Sequence, residues 1–252
     1  MTSIHRRSLL AGLAALGTGA CSKIDGFAAS EAGAGVFDAA EAFHRAAHRT
    51  LAGRQALAPE YEPEDRSPTF RGNGSLTVDT PEYRAQLTSG FPDWRLAVTG
   101  LVEEPLSLSL ADLRALPQRS QITRHDCVEG WSAIGEWTGP QLSHLLDAAR
   151  VRREAAFIVF TCADVLYARP YYESVDMIDA YHPQTIIAHS LNGEPLPEKN
   201  GAPLRVRIER QLGYKSAKYL TGIEAVASLE GIGEGRGGFW EDVGQYQWYA
   251  GI

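Results

Sequence analysis

Thr123-Arg-His-Asp-Cys-Val-Glu-Gly-Trp131 sets one cysteine among ionisable residues, just ahead of a tryptophan. A thiolate is a soft donor suited to metals that tolerate sulfur, and Arg124 and His125 beside it would favour the ionised form. Cys127 therefore reads as a metal ligand, with Arg124 a candidate catalytic cation. Gly130 would let the backbone approach a bulky ligand, and Trp131 would wall the site. The other reading is a buried thiol acting as a small hydrophobe. This stretch alone leaves both open.

Working outward, regular elements are predicted on both sides. Trp94, Leu96 and Val98 alternate with Arg95, Ala97 and Thr99, the period of a half-buried strand ending at Gly100. Ser109 and Asp112 have the spacing of a helix cap, and Pro117 closes that helix. Ile122 leads into a Cys127 loop, after which Gly139-Pro140 opens a helix with Leu142, Leu145, Leu146 and Ala149 on one face. Phe157-Ile-Val-Phe-Thr161 reads as a strand buried on both faces, delivering Cys162, Ala163 and Asp164 toward a pocket. Tyr167, Tyr171 and Tyr172 form an aromatic cluster, either pocket rim or ordinary packing. Ile186–Leu191 reads as a strand entering a tight turn at Asn192-Gly193.

The second informative stretch runs from Asn200 to Lys218. Leu204, Val206 and Ile208 alternate with Arg205 and Arg207, and Arg210, Lys215 and Lys218 follow, so five cations concentrate around one strand and a Gly213 turn. That suits a bound phosphate or other anion. The alternative is a solvated strand whose charges balance nearby acids.

The N-terminal part reads as targeting and tether. His5-Arg6-Arg7 precedes an apolar run, Ser8–Ala20, too short to span a bilayer comfortably. Twin arginines point to the Tat exporter, hence a periplasmic protein folded before export, as proteins that receive a cofactor in the cytoplasm often are. Gly17-Thr-Gly-Ala-Cys21 also resembles a lipoprotein cleavage site, so Cys21 is a candidate lipid anchor. The expected organisation is a signal segment over 1–21, then a tether, helix and arm over 22–69, then one domain over 70–252. The helix is expected from an Asp38 cap to about Leu51, with Gly53 ending it. Asn73, between glycines in the arm, is an ordinary turn residue or a ligand contact.

Composition narrows the function classes. The 252 residues are 44% hydrophobic, enough for a sizeable core, and carry a formal charge of −7. An acidic chain argues against a nucleic-acid partner. Three cysteines, Cys21, Cys127 and Cys162, cannot build a disulfide scaffold, and no Cys-x-x-Cys-His attaches haem.

Taken together, Cys127-Val-Glu-Gly-Trp131, Trp137-Thr-Gly139, Leu191-Asn-Gly-Glu-Pro-Leu196, Asn200-Gly-Ala-Pro-Leu-Arg205 and Gly213-Tyr-Lys-Ser-Ala-Lys218 resemble the sulfite-oxidase-fold molybdopterin enzymes, in the family's order from about Phe70 to Ile223. The tail from Gly237 to Ile252 resembles a bacterial branch. The resemblance implies an α+β fold of mixed sheets with flanking helices around one pterin. It also implies molybdenum held by Cys127 and one pyranopterin dithiolene, with Asn200, Arg205, Ser216 and Lys218 holding the pterin and its phosphate. Asn73 and Cys162 fall where relatives place further cofactor contacts.

Animal and plant sulfite oxidases have histidine at the position held here by Asn200, whereas periplasmic methionine sulfoxide reductases have asparagine. The leading expectation is therefore oxygen-atom transfer on a small or peptide-borne substrate such as a sulfoxide. Electrons would pass through an external carrier, either a quinone-linked membrane subunit or cytochrome c. Sulfite oxidation with cytochrome c is the second reading and needs a cationic pocket for which Arg124 is the local candidate. A non-catalytic exported anion-binding module is the third. The segment after Cys127 and the tail depart from the reductases. No stretch matches an immunoglobulin-like dimerisation domain, so a monomer is expected.

Overall fold

The computed structural model describes residues 26–27, 30–51, 53 and 55–252. The chain divides into two compact units, Met1–Leu51 and Ala52–Ile252. The expected signal segment and the Cys21 anchor lie outside the described residues.

In the first unit, α1 spans Glu31–Leu51. It begins seven residues before the expected Asp38 cap. The cap is Ser30, whose hydroxyl accepts the Gly33 N–H at 3.1 Å and satisfies an otherwise unpaired donor of the first turn. The helix therefore takes in residues 31–37, which the sequence reading assigned to the tether. Gly53, at φ 71°, follows the helix end as expected.

The second unit is organised by two sheets. The larger has strand order β2-β1-β11-β5-β6, from β1 (Arg95–Gly100), β2 (Leu106–Ser109), β5 (Phe157–Leu166), β6 (Arg169–Asp176) and β11 (Leu220–Val226). Only β1 and β11 run parallel. The second sheet is β3 (Gln118–Cys127), β4 (Trp131–Pro140), β8 (Ser190–Leu191) and β9 (Glu194–Pro195), and β7 (Ile186–Ala188) pairs separately with β10 (Arg205–Arg207). Four short helices flank them: α2 (Pro81–Ser89), α3 (Leu110–Ala115), α4 (Leu142–Ala148) and α5 (Met177–Ala180), with α6 (Phe239–Gly244) near the C-terminus. This is the expected α+β architecture.

Local chemistry explains most boundaries. Ser109 and Asp112 form the expected reciprocal cap of α3. Leu142, Leu145, Leu146 and Ala149 are fully enclosed, as the helical spacing requires. Thr80 and Pro81 start α2, which the sequence reading missed because its turn-by-turn mix of polar and apolar residues presents no apolar stripe.

The largest departure concerns the opening motif. Cys127 does not sit in a long loop. It ends β3, directly opposite Trp131 on β4, at the tip of a ten-residue antiparallel ladder. Gly130, at φ 84°, supplies the left-handed turn residue, and its N–H bonds the Cys127 carbonyl at 3.0 Å. Gly139-Pro140 therefore closes β4 rather than opening a helix, and α4 starts after Gln141. Arm residues 52–69 fall in the same compact unit as the sheets. Tyr61 bonds the Ile122 carbonyl and Ser67 the Ile134 carbonyl, tying them to the hairpin.

The core sits around Trp137, whose ring meets Phe70 edge-on at 5.0 Å. Two guanidiniums lie over the same indole, Arg205 at 5.0 Å and Arg207 at 4.5 Å. The cationic strand face expected at 204–208 is thus real but fully buried, not solvated.

Candidate functional site

Alternation along β3 decides which side chains can act. Cys127 and His125 point inward and are buried, whereas Arg124 and Asp126 point the other way and pair at 2.9 Å. Arg124 faces a different surface, beside Tyr61, Asp126 and Arg210. It does not reach Cys127, which corrects its reading as a catalytic cation. Replacing Arg124 with Gln is expected to leave cofactor content and turnover unchanged and to cost less than about 1 kcal/mol of stability, since the lost pair is a solvent-facing one. Elemental analysis and chemical denaturation check this.

Cys127 borders a cleft that is open to solvent and has an interior of about 100 Å³. Asn73, Ser216 and Lys218 share the lining with Cys127, joined by Ser75, Asp164, Tyr171, Tyr214, Trp240 and Tyr246. Five chain segments far apart in sequence thus converge on one space.

Arg205 and Asn200 lie just behind this lining. Arg205 donates to the carbonyls of Asn200 at 3.1 Å and Ser216 at 2.8 Å, and Asn200 donates to the Arg71 carbonyl at 3.1 Å. Cys162 is the exception among the expected contacts. It borders a neighbouring groove with Thr161, Tyr171 and Tyr172, while its buried thiol still feels the charges of Asp164, Lys218 and Arg205. Between Thr161 and Val165, β5 advances four residues while β6 advances two. That bulge breaks simple alternation and gives the cleft position to Asp164.

Electrostatics separates the cations into two kinds. Arg207 pairs with Glu209 at 2.6 Å, and Lys215 pairs with Glu173 and Glu241 at 2.6 and 2.5 Å. The bonds of Arg205 and Lys218 go instead to backbone carbonyls. Lys218 holds those of Asn73 at 2.6 Å, Ser75 and Lys199. Burial, reinforced by Arg205, pulls Lys218 down to about 7. Burial, reinforced by Arg207, likewise disfavours the charge on Arg205. Two buried cations without carboxylate partners are costly unless an anion joins them.

The sequence reading expected Arg124 and His125 to ionise the thiol. Burial instead pushes Cys127 up, with Arg205 pulling weakly the other way. His125 is held neutral by burial and by Arg207 and Arg205. A bound metal would supply the missing positive charge and take the sulfur as thiolate. Gly213 proves to be a close-approach glycine, since a Cβ there would collide with the His125 ring.

A molybdopterin requires a soft sulfur ligand, acceptors for pterin N–H groups and a cationic bed for its phosphate. Cys127 supplies the first. The Asn73 and Asn200 side-chain oxygens and the Arg205 Nε are buried and unpaired, and the Asn73 oxygen belongs to a residue of the cleft wall. Arg205 and Lys218 supply the third. The residues fit the group. Asp164, Ser75, Trp240 and Tyr246 were missed as site residues, and only the Asp164 position and the tail motif carried any signal.

The depressed Lys218 value predicts a pH effect in cofactor-free protein. Below about pH 7 the ammonium is buried and charged, and its cost is fully present. Between that pH and its unfolded value the unfolded chain holds a proton that the folded chain has released, so stability rises with pH. The melting temperature is expected to climb from pH 7 to 9 in wild type relative to Lys218→Met, measured by calorimetry.

YedZ1 of Azospira oryzae, named as a protein-methionine-sulfoxide reductase subunit, is 42% identical over 158 residues, 63% of this chain and 56% of that protein. The protein-methionine-sulfoxide reductase catalytic subunit of Campylobacter jejuni is 34% identical over 144 residues, 52% of this chain and 48% of its own. The chain spans about half the length of the curated relatives it matches. Among solved structures, the sulfane dehydrogenase SoxCD of Paracoccus pantotrophus shares the fold with a TM-score of 0.50 and 24% identity, over 54% of this chain and 39% of that one. The oxidoreductase molybdopterin binding domain matches residues 82–230, more than half of the chain, and the protein belongs to that family.

Proposed function

We propose that this chain is an exported molybdenum-dependent oxidoreductase that moves an oxygen atom on a small or peptide-borne sulfoxide, with electrons supplied by an external carrier. The observation that carries the reading is the Cys127 thiol opening on the same cleft as Lys218, with Arg205 just behind it. Cys127 is the single protein ligand to molybdenum. Among the described residues no three His, Cys, Asp or Glu side chains converge as a metal site, so the remaining ligands come with the pyranopterin dithiolene.

When bound, that cofactor supplies a metal cycling between Mo(VI) and Mo(IV), able to take the sulfoxide oxygen while two electrons and two protons yield thioether and water. The chain's own residues position and tune. Arg205 and Lys218 offset the phosphate charge, Asn73 and Asn200 accept N–H groups, and the Ser216 segment is fixed by its carbonyl bond to Arg205. Trp240 and Tyr246 give the cleft an apolar wall for a thioether-like substrate. The sequence resemblance at Asn200 supports the sulfoxide branch. Arg124, the cation that sulfite binding would have used, faces away from the cleft.

The Met1–Cys21 segment is proposed to direct Tat export to the periplasm, with Cys21 the candidate lipid anchor, and residues 70–252 to be the enzyme domain. A membrane-bound redox subunit is the proposed electron partner. Among the described residues no helix is long and apolar enough to cross a membrane.

The test is protein purified after export, assayed for molybdenum and for reduced-dye-coupled turnover. Methionine sulfoxide, an oxidised peptide, dimethyl sulfoxide, and sulfite with cytochrome c are the substrates. Near-stoichiometric molybdenum with sulfoxide reduction is expected. Sulfite oxidation alone would transfer the assignment to the second reading, and exported protein without molybdenum or pterin would leave an anion-binding module.

A further inference from the structure

The C-terminal segment makes an unusual set of contacts with the cleft. Residues 231–238 read Gly-Ile-Gly-Glu-Gly-Arg-Gly-Gly, with Gly231, Gly233, Gly235 and Gly237 all at positive φ, between 57° and 94°. Such a run turns freely where other residues would be strained. Beyond it, α6 places Trp240 on the cleft, and Tyr246 follows it there, the two rings stacked at 5.6 Å. Tyr246 also meets the cleft-lining Tyr214 edge-on at 5.1 Å.

The far end is then tied to the segment that leads into Ser216 and Lys218. Leu212 bonds the Ala250 carbonyl, Ile252 bonds the Arg210 carbonyl, and the Tyr214 hydroxyl donates to the Gln247 carbonyl at 2.6 Å.

One ionic cluster fixes this segment from within. Lys215, adjacent to Ser216, is fully buried between Glu173 of β6 and Glu241 of α6. The two carboxylates converge at Gly238, where a Cβ would collide with Glu241 and crowd Glu173. Burial and the neighbouring Glu241 push the Glu173 carboxyl well up, with Lys215 pulling the other way. Trp248 covers it, with Lys215 Nζ 5.5 Å from the indole. None of these three ionic groups lines the cleft or is needed to hold the cofactor.

We propose that Gly231–Ile252 is a strap that closes the cleft behind the cofactor, hinged at its glycine run and caught by the Lys215, Glu173 and Glu241 cluster. The proposal rests on the reading that the cleft holds molybdopterin. A bulky pterin entering a cleft with two aromatic walls on one segment needs that segment displaced, and the catch then sets how slowly it reopens. Glu241 is the separable part. Removing it leaves Lys215 and Glu173 as a balanced pair, so the fold is expected to survive, while the only buried ionic tie of α6 is lost among the described residues. Glu241→Gln keeps the shape and one hydrogen bond to Glu173.

The experiment compares exported wild type, Glu241→Ala and Glu241→Gln. It uses hydrogen exchange of peptides spanning 237–252 and the rate at which oxidised, fluorescent pterin appears in ultrafiltrate. Circular dichroism confirms the fold. Glu241→Ala is expected to start with wild-type pterin content, exchange faster across 237–252 only, and release pterin roughly tenfold faster or more, the factor implied by losing one charge-assisted hydrogen bond. Glu241→Gln is expected to restore most of the protection. Wild-type exchange and release in Glu241→Ala would overturn the strap. Should wild type carry no pterin, the cofactor reading fails, yet unchanged exchange across 237–252 in Glu241→Ala would still sink the catch and faster exchange would still support it.

Discussion

Cys127→Ser is expected to abolish metal-dependent turnover while leaving the fold intact. The cysteine ends β3 opposite Trp131, and its backbone position is fixed by the ladder and by the Gly130 turn, neither of which uses the sulfur. Serine fills nearly the same volume, so the stability cost is about 1 kcal/mol, the scale of one poorly paired buried hydroxyl. The chemical loss is larger. Removing partners that merely orient metal ligands costs about 10–100-fold, and this residue is the single protein ligand in the proposed site. Elemental analysis, pterin fluorescence and a melting curve on the same preparation separate the outcomes. A variant that melts as wild type does and has lost turnover supports the assignment. One that turns over at the wild-type rate refutes it.

Trp137→Ala is expected to have the largest effect on stability, about 3–5 kcal/mol, which is a large part of the total for a typical domain. The indole is completely enclosed, packs against Phe70 edge-on at 5.0 Å and lies beneath both Arg205 and Arg207. Its removal opens a cavity and deprives two buried guanidiniums of an electron-rich face. Only one of them, Arg207, has a carboxylate partner, Glu209. Arg205 would be the first to move, and with it the Ser216 carbonyl it holds. Molybdopterin content should therefore fall together with the urea midpoint. Trp137→Phe, which keeps an aromatic face, should recover part of both. Loss of midpoint without any loss of cofactor in the alanine variant would show that Arg205 is held by its carbonyl bonds alone.

These two residues also mark what could be read without coordinates. Cys127 announced itself because a thiol beside Val-Glu-Gly-Trp carries a chemical meaning, the strand at Arg95–Gly100 declared itself by its period, and the strand at Phe157 by a continuous apolar run. The cationic stretch from Arg205 to Lys218 was equally plain as composition. Whether its charges were solvated or buried was not, because alternation along a strand gives two faces without saying what covers either. Arg124 illustrates the same limit. Adjacent in sequence to the motif, it was placed in the site, and the pleat of β3 sends it to the opposite surface.

The sequence by itself determined the residue chemistry and the local elements: a thiol set before Val-Glu-Gly-Trp, a cluster of cations between Arg205 and Lys218, the reciprocal cap of α3 and the apolar face of α4. Each is a property of residue type or of spacing within a few positions, where backbone geometry is fixed by hydrogen bonding and sterics. The tertiary structure alone decided which cations stay unneutralised, that Asp164 lines the cleft, and that a C-terminal segment supplies the Trp240 and Tyr246 wall. Those outcomes depend on contacts between segments distant in sequence and on a bulge that shifts register, and neither leaves a periodic trace along the chain.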